Sequence, residues 1–387
     1  MVRLGDVCTI NPRGSVFPDS FEVSFIPMQS VTEEGNVDAS LIKKYQEVKK
    51  GFTSFRENDV LFAKITPCME NGKGGIACKL KNEVGFGSTE FHVLRPNPDL
   101  ITSKWLYYLT SWPAFRKECE KNMTGSAGQK RVPKTFLENY MIELPELSEQ
   151  YRIAATLDKV TDLISKRRQQ LDKLDELVKA RFVEKFGDCK TNPKGWPILY
   201  LEQIAEVGSS KRVFVEELKE SGIPFFRGTE VGALAEGKKI EPELFITEEH
   251  YQQLCLATGK PQIGDLLMPS ICPDGRIWIV NSDDPFYFKD GRVLWVHNIK
   301  KEFNSVFLLY TLKDRIMTDY NSIASGTTFA ELKIFSLKQC KIFNVPIELQ
   351  NQFASFVEQT EKTKATIRHS LESLETLKKA LMQEYFE

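Results

Sequence analysis

The chain has 387 residues, of which 41% are hydrophobic and 27% charged, and its formal net charge is −1. That length accommodates two or three domains, the composition excludes a disordered or fibrous chain, and no apolar run reaches the roughly eighteen residues of a membrane-crossing helix. A near-neutral total argues against a freestanding nucleic-acid binder, which carries a visible basic excess, but leaves room for local basic loops or a basic partner.

The opening stretch MVRLGDVCTINPRG lacks the apolar core of a signal peptide. Eight cysteines (Cys8, Cys68, Cys78, Cys119, Cys189, Cys255, Cys272 and Cys340) are scattered without a CxxC pair. Scattered thiols without an export signal point to a reducing, cytoplasmic compartment rather than a disulfide framework. None of the four histidines stands at ligand spacing from a cysteine, so no metal site is expected in this chain.

In chain order, LGDVCTI (4–10) comes first and VSFIPMQSVTEEG (23–35) second. NDVLFAKITPCMENGKGGIA (58–77) runs as Asp, an apolar strand, Ile-x-Pro and a Gly-containing turn. WLYYLTSW (105–112) reads as a short amphipathic helix, and GSAGQKRVPKTFLENYMIELP sets Gly125 and Pro145 twenty residues apart. A long helical stretch then runs from Ser148 to Phe186. After it, FGDCKTNPKGWPILYL (186–201) marks a boundary: Gly187 can take a left-handed cap conformation, and Pro193-Lys194-Gly195 cannot extend a helix.

The chain then writes the same blocks again in the same order. They are LEQIAEV (201–207), IPFFRGTEVGALAEG (223–237), GDLLMPSICPDGRIWIV (264–280), FLLYTLKD (307–314), and a stretch with Gly326 and Pro346 again twenty residues apart. The offset varies between about 197 and 206 residues, as loop insertions produce. Each copy is rich in short Val/Ile/Phe/Tyr runs broken by Gly, Pro, Asn and Asp, with a few helices, which is α+β writing. The expected organisation is a globular unit over 1–147, a central helix over 148–187, a second globular unit over 188–346 and a C-terminal helix over 347–387.

In the first long helix Ile153, Leu157, Val160, Ile164, Leu171, Leu174 and Val178 alternate at four and three residues, with Arg167 at one seam position. In the second, Phe353, Val357, Thr360, Ile367, Leu371, Leu374, Leu381 and Tyr385 keep the rhythm, interrupted by Lys364 and Lys378. A 3.5-residue period places one apolar stripe along each helix, too narrow to vanish inside a small domain, so each needs a partner. Residues 148–186 carry nine basic and seven acidic side chains (+2), and residues 347–387 five basic and seven acidic (−2). Solvated coiled-coil faces explain any single charge, and the paired apolar seams carry the argument. In a two-fold pseudo-repeat such helices pack most naturally antiparallel. Thirty-nine residues extend about 58 Å.

These motifs together resemble the DNA-specificity subunit of type I restriction-modification systems. The resemblance rests on RLGDVCTINPRG, TGSAGQKRVPKTFLENYMIELPELSEQYRIA, NPKGWP and NVPIELQNQFA, and covers essentially the whole chain in order. It implies two pseudo-repeated α+β target recognition domains joined by two long helices that form an antiparallel coiled coil. Each recognition domain would read one half of a split, asymmetric double-stranded DNA site. The coiled coil would set the gap and dock two methyltransferase subunits, and endonuclease subunits would join that core. The chain itself would be non-catalytic and without cofactor. S-adenosylmethionine would belong to the methyltransferase partner, ATP and Mg to the endonuclease partner. Half-sites read from one face of DNA lie about 34 Å apart, within the reach of such a coil.

Candidate contacts follow from local charge. Residues 63–81 hold Lys64, Lys73, Lys79 and Lys81 against Glu70, a local +3, and residues 121–134 hold Lys121, Lys130, Arg131 and Lys134 with no acid, a local +4. Gly125 and Gly128 would let the backbone approach a phosphate. Lys64, Lys73, Lys130, Arg131 and Lys134 are suited to phosphates, and Gln129 and Asn71 to adenine in the major groove. In the second copy the candidates are Lys211 with Arg212, Arg227 with Thr229, Arg276 after the Gly turn, and Thr327 with Thr328. A solvated loop is the competing reading of each.

Two motifs resemble enzymes without completing one. DDPFY (283–287) resembles the Asp-Pro-Pro-Tyr of adenine methyltransferases, but Phe286 replaces the second proline. GFG (85–87) continues into a strand instead of opening a helix. The rival to DNA reading is a tandem protein-interaction scaffold that uses the same coiled coil without direct DNA contact.

Overall fold

The computed structural model of the chain describes residues 1–126, 128–325 and 330–387. They divide into two compact units, Met1–Gln169 with Arg368–Glu387, and Gln170–Ile367.

The first unit opens with β1 (Val2–Arg3), α1 (Leu4–Val7) and β2 (Cys8–Ile10), followed by β3 (Glu22–Ile26), β4 (Ile42–Lys44), α2 (Tyr45–Val48) and β5 (Thr53–Arg56). Next come β6 (Val60–Ala63), β7 (Gly74–Ile76), β8 (Val84–Gly87) and β9 (Phe91–Pro96). Helices α3 (Ser103–Ser111), α4 (Pro113–Lys121) and α5 (Lys134–Asn139) precede β10 (Met141–Ile142) and the long α6 (Leu147–Phe186). Two four-stranded sheets result, ordered β2-β9-β6-β7 and β4-β3-β8-β5. Only the β3–β8 pairing within them is parallel.

The second unit repeats this order with β11 (Ile198–Tyr200), β12 (Glu206–Gly208), β13 (Ile223–Phe226), α7 (Gly228–Ala235), β14 (Phe245–Ile246) and α8 (Glu248–Thr258). Strands β15 (Leu266–Pro269), β16 (Trp278–Ile279), β17 (Tyr287–Phe288) and β18 (Val293–His297) follow. Then come α9 (Ser305–Ile323), β19 (Ala324–Ser325), β20 (Glu331–Leu332), α10 (Ile334–Lys338), β21 (Lys341–Phe343) and α11 (Ile347–Phe386). Its sheets run β12-β18-β15-β16 and β14-β13-β17, again with one parallel pairing, β13–β17. The five repeated sequence blocks thus carry one strand order twice.

The period of two along each central strand explains why both faces are apolar. Val60, Phe62 and Leu94 face a core with Trp105, Leu106 and Phe115 of α3 and α4, while Leu61, Ala63 and Val93 face Ile26 and Phe55 of the second sheet. In the second unit Leu266, Met268 and Leu294 meet Phe307, Leu308 and Leu312 of α9, while Leu267, Val293 and Trp295 meet Phe226 and Phe288. The aspartate that introduces each central strand is buried and satisfied. Asp59 accepts from the Arg95 guanidinium at 2.6 and 2.8 Å and from the Arg56 backbone N–H, and Asp265 accepts from Trp295 Nε1 and the Gln262 N–H, each at 2.9 Å.

Within each unit the long helices pair antiparallel. In the first, the Arg152 guanidinium lies over the Tyr385 ring and Arg168 bonds Glu375 at 2.9 Å, so rising numbers on α6 meet falling numbers on α11. In the second, Asp175 meets Lys364, Arg181 lies over Phe356, and Lys185 bonds Gln352. Ile153, Leu157, Val160, Ile164, Val178, Phe353 and Val357 are buried; Leu171, Leu174, Ile367, Leu371, Leu374 and Leu381 are half-buried. Near the end of α11 the more deeply buried side chain is Met382 rather than Leu381. The drift of a 3.6-residue helix against a 3.5-residue pattern accounts for that one-position shift.

One polar side chain seats each long helix on its own globular part. Gln150, fully buried, accepts from the Thr102 N–H and donates to the carbonyls of Leu100 and Pro145. Gln350, equally buried, accepts from the Asn304 N–H and donates to the carbonyls of Glu302 and Val345. The two amides sit two hundred positions apart and bond equivalent groups. Replacing Gln150 by Ala removes the side-chain partner of one N–H and two carbonyls, and is expected to cost about 1–3 kcal/mol. Leu163→Ala, at a position 44% exposed, is expected to stay within about 0.5 kcal/mol. Denaturant unfolding of the full chain measures both.

Candidate nucleic-acid interface

The two basic segments of the first unit, sixty residues apart in sequence, are joined by backbone hydrogen bonds. The Val132 N–H donates to the Lys64 carbonyl at 2.9 Å, the Thr66 N–H to the Lys130 carbonyl at 3.1 Å, and Thr66 Oγ1 to the Gly128 carbonyl at 3.2 Å. Residues 64–73 and 128–132 therefore form one surface at the end of β6. On it Asn71, Gln129 and Lys130 are exposed, and Lys64 and Lys73 are half-buried. Lys134, at the start of α5, pairs with Glu138 at 3.0 Å. Gly125 and Gly128 take positive φ of 124° and 82°, values that a side chain would strain.

Arg131 does something different from its lysine neighbour. Its guanidinium donates to both carboxylate oxygens of Glu90, at 2.8 and 2.9 Å, and to the Gln129 carbonyl at 3.0 Å. The Arg131 hydrogen bonds hold the Glu90 carboxyl below its ordinary range. Beside this pair His92, buried, places Nε2 at 2.7 Å from the Val132 carbonyl and Nδ1 at 3.0 Å from Asn11 Nδ2. Nε2 then carries the proton and Nδ1 accepts, the tautomer of a neutral ring. Burial pulls the His92 imidazole down; the Val132 hydrogen bond opposes it, Lys64 and Lys134 add to the lowering, and Glu90 opposes it more weakly.

A family model described as the type I restriction modification DNA specificity domain matches residues 1–175 and 193–376. The chain belongs to this family. The type I restriction enzyme EcoAI specificity subunit of Escherichia coli is 45% identical over 165 residues, which cover 42% of this chain and 28% of that protein. The chain thus spans less than a third of that relative's length in the match. Two solved structures share the fold. One, from a study of complex assembly and conformational transition in the type I R-M system, has a TM-score of 0.59 at 19% identity, over 99% of this chain and 96% of the other. The other, a type I restriction-modification S subunit from M. genitalium, has a TM-score of 0.58 at 15% identity, over 100% and 95%.

In the second half of this specificity chain the candidate cations sit among acids. Arg227 donates to Glu230 and to Glu243, and Thr229 Oγ1 donates to Glu230 at 3.0 Å. Arg276 pairs with Asp274 at 2.8 Å and Glu236 at 3.5 Å. Arg212 reaches Asp290 at 3.3 Å, and the adjoining Lys211 N–H donates to the Tyr287 hydroxyl at 3.1 Å. Lys211, Arg212 and Arg227 gather at the carboxyl end of the parallel pair β13–β17, whereas Arg276 lies against α7, where its Nη1 is 2.9 Å from the place a Gly232 Cβ would occupy. Thr327 and Thr328 lie outside the described residues.

In the stretch that resembles a methyltransferase motif, Asp283, Asp284 and Pro285 are exposed and the two aromatic residues are core. Phe286 stacks on Phe226 at 5.0 Å, and the Tyr287 hydroxyl is within 2.8 Å of Thr258 Oγ1. Among the described residues no group of His, Cys, Asp and Glu is placed to hold a metal, and no helix is long and apolar enough to cross a membrane. Sequence reasoning missed Glu90, His92 and Asn11, whose contacts span 40 residues or more; no local period or motif marks them. Gln150 and Gln350 carried a signal, since they recur at the two-hundred-residue offset of the helices that they begin.

His92 makes one pH effect predictable. A ring held neutral in the folded chain takes up a proton more readily once unfolded. Its contribution is therefore complete above the ordinary imidazole value of 6.5 and is lost progressively as the pH drops below it. The protection factor of the Val132 amide, measured by hydrogen exchange from about pH 7.5 to 5 and corrected for the intrinsic exchange rate, should fall as acid is added, and His92→Gln should remove that fall.

Proposed function

We propose that this chain is the sequence-reading subunit of a type I restriction-modification complex and performs no chemistry itself. Residues 1–147 and 188–346 act as two target recognition domains, and each reads one half of a bipartite, asymmetric site in double-stranded DNA. The helices over 148–187 and 347–387 set the spacer between the half-sites and provide the dock for two methyltransferase subunits. Methyl transfer from S-adenosylmethionine belongs to those partners, and ATP- and Mg-dependent cleavage to endonuclease subunits.

The observation that carries this reading is the joining of two basic, glycine-containing segments into one surface at the end of a central strand. Lys64, Lys73 and Lys130 supply the phosphate contacts there, and Asn71 and Gln129 the base-reading amides. Lys134 adds charge at the rim. In the second domain Lys211, Arg212 and Arg227 flank one strand end, with Thr229, Arg276, Thr327 and Thr328 as further contacts. The net charge of −1 accords with binding in which the partners supply much of the phosphate neutralisation.

Methylome mapping of a host expressing the chain with its methyltransferase tests this directly. A split motif is expected, and exchange of residues 1–147 for another recognition domain should alter one half only. One heptad inserted within 157–181 should lengthen the separation by up to about 10 Å, or up to about three base pairs. An unchanged gap with methylation intact rejects the spacer role. In a salt titration of the assembled complex, Lys130→Ala should weaken binding to all sequences alike and lower the salt slope by about 1. A chain whose complex shows no salt-dependent DNA binding is instead an interaction scaffold.

A further inference from the structure

The Glu90–Arg131 pair has a counterpart in the second unit with its charges exchanged. In the first, the Lys64 N–H donates to the Glu90 carbonyl at 2.9 Å and the Val132 N–H to the Lys64 carbonyl at 2.9 Å. In the second, the Ser270 N–H donates to the Arg292 carbonyl at 2.9 Å and the Leu332 N–H to the Ser270 carbonyl at 2.7 Å. Position 90 thus corresponds to 292, and 131 to 331. Arg292 bonds Glu331, so acid and base have changed places while the link between the same two strands remains.

We propose that Glu90–Arg131 and Arg292–Glu331 are equivalent clamps, each fixing a DNA-reading loop to the strand beside it, and that Arg131 is a positioning residue rather than a phosphate contact. A phosphate contact demands a cation on the loop side; the second unit has a carboxylate there. Attraction across the gap is what both copies retain. The first pair is bidentate, with side chains 40% and 25% exposed, a geometry in which an ion pair holds one orientation and not merely one distance. Neighbouring charges differ between the copies: Lys64 and His92 lie near Glu90, and Lys333 pairs with Glu331 at 3.2 Å. The clamp matters because the loop side chains Gln129 and Lys130 are exposed, and the inward anchors beside them are Val132 and, before the loop, the partly buried Met123.

This inference rests on the DNA-reading role proposed above, and the test separates the two. In the full chain with its methyltransferase, Glu90→Gln and Arg131→Ala should each lower methylation at sites defined by the wild-type methylome about tenfold, without changing the salt slope of DNA binding. The reversed pair E90R/R131E should restore methylation to within about threefold, and R292E/E331R should do the same for its own single variants. Hydrogen exchange of the Thr124, Arg131 and Val132 amides, measured without DNA, should rise in the single variants and return in the reversed pair. The clamp is overturned if Glu90→Gln leaves exchange and methylation unchanged. It is also overturned if E90R/R131E stays as defective as Arg131→Ala with a salt slope lower by about 1, the mark of a lost phosphate contact. If exchange follows the clamp but neither Glu90→Gln nor Lys130→Ala alters methylation, the clamp is real and the DNA-reading role of this loop falls.

Discussion

A helix with one apolar stripe cannot stand alone in water, and everything else in this chain is arranged around that constraint. Within each unit the stripe of one long helix is covered by the other and by the globular core. Val178, Phe182 and Phe186 meet Phe353 and Val357 in the second unit, while Ile153, Ala154 and Leu157 meet Met382 in the first. Ring contacts finish both ends: Phe182 and Phe186 lie 5.5 Å from Phe353, and Trp105 lies 5.2 Å from Phe386. Burial drives the association, but apolar contact alone is non-directional. Direction comes from the polar groups in the seam. Lys364 is 3% exposed and bonds Asp175 and Glu361. Glu361 lies on the same helix as Lys364, whereas Asp175 lies on α6, so the antiparallel register that brings Asp175 to this buried ammonium is the one favoured.

The seam also records how far the two copies have diverged while keeping one architecture. Val160 and Ile164 of α6 correspond, two hundred residues on, to Thr360 and Lys364 of α11, and Val178 corresponds to Lys378, whose ammonium burial pulls below its usual value. Apolar and polar seam positions are thus distributed unequally between otherwise equivalent helices. The same economy appears at the aspartates that open the central strands. Asp59 is neutralised by Arg95, whereas Asp265 has Trp295 and a backbone N–H, and burial pushes its carboxyl up. Fold and hydrogen-bond satisfaction are retained in both copies; the sign and chemistry of individual pairs are not.

That distinction also separates the strands from the loops. Strands β6 and β15 present backbone to neighbouring strands in the same way, and the variable chemistry lies in the loops that leave them. In the first unit the loop side chains Gln129 and Lys130 are exposed, while the adjoining Arg131 turns inward to Glu90. In the second, Arg227 and Arg276 stand against acids of α7 and its flanks. A scaffold of this kind can exchange loop residues without disturbing the central strands, because the loops contribute few of the large buried side chains.

How much of this could be read without coordinates depends on the range of the interactions. The helices were legible because their period is local: Ile153, Leu157, Val160 and Ile164 declare a stripe to anyone counting threes and fours. So were the repeat and the break at Gly187 to Gly195, since block order and turn residues are written along the chain. The two basic segments were visible as charge, but their meeting at Lys64 and Val132 was not. Nor was the turning of Arg131 toward Glu90, forty-one residues away. The sequence by itself therefore determined the periodic elements, their order and the need for a partner along each stripe. Tertiary structure alone decided which charges face solvent and which are spent on one another, because an ion pair is chosen by distance in space, and no pattern along the chain encodes that distance.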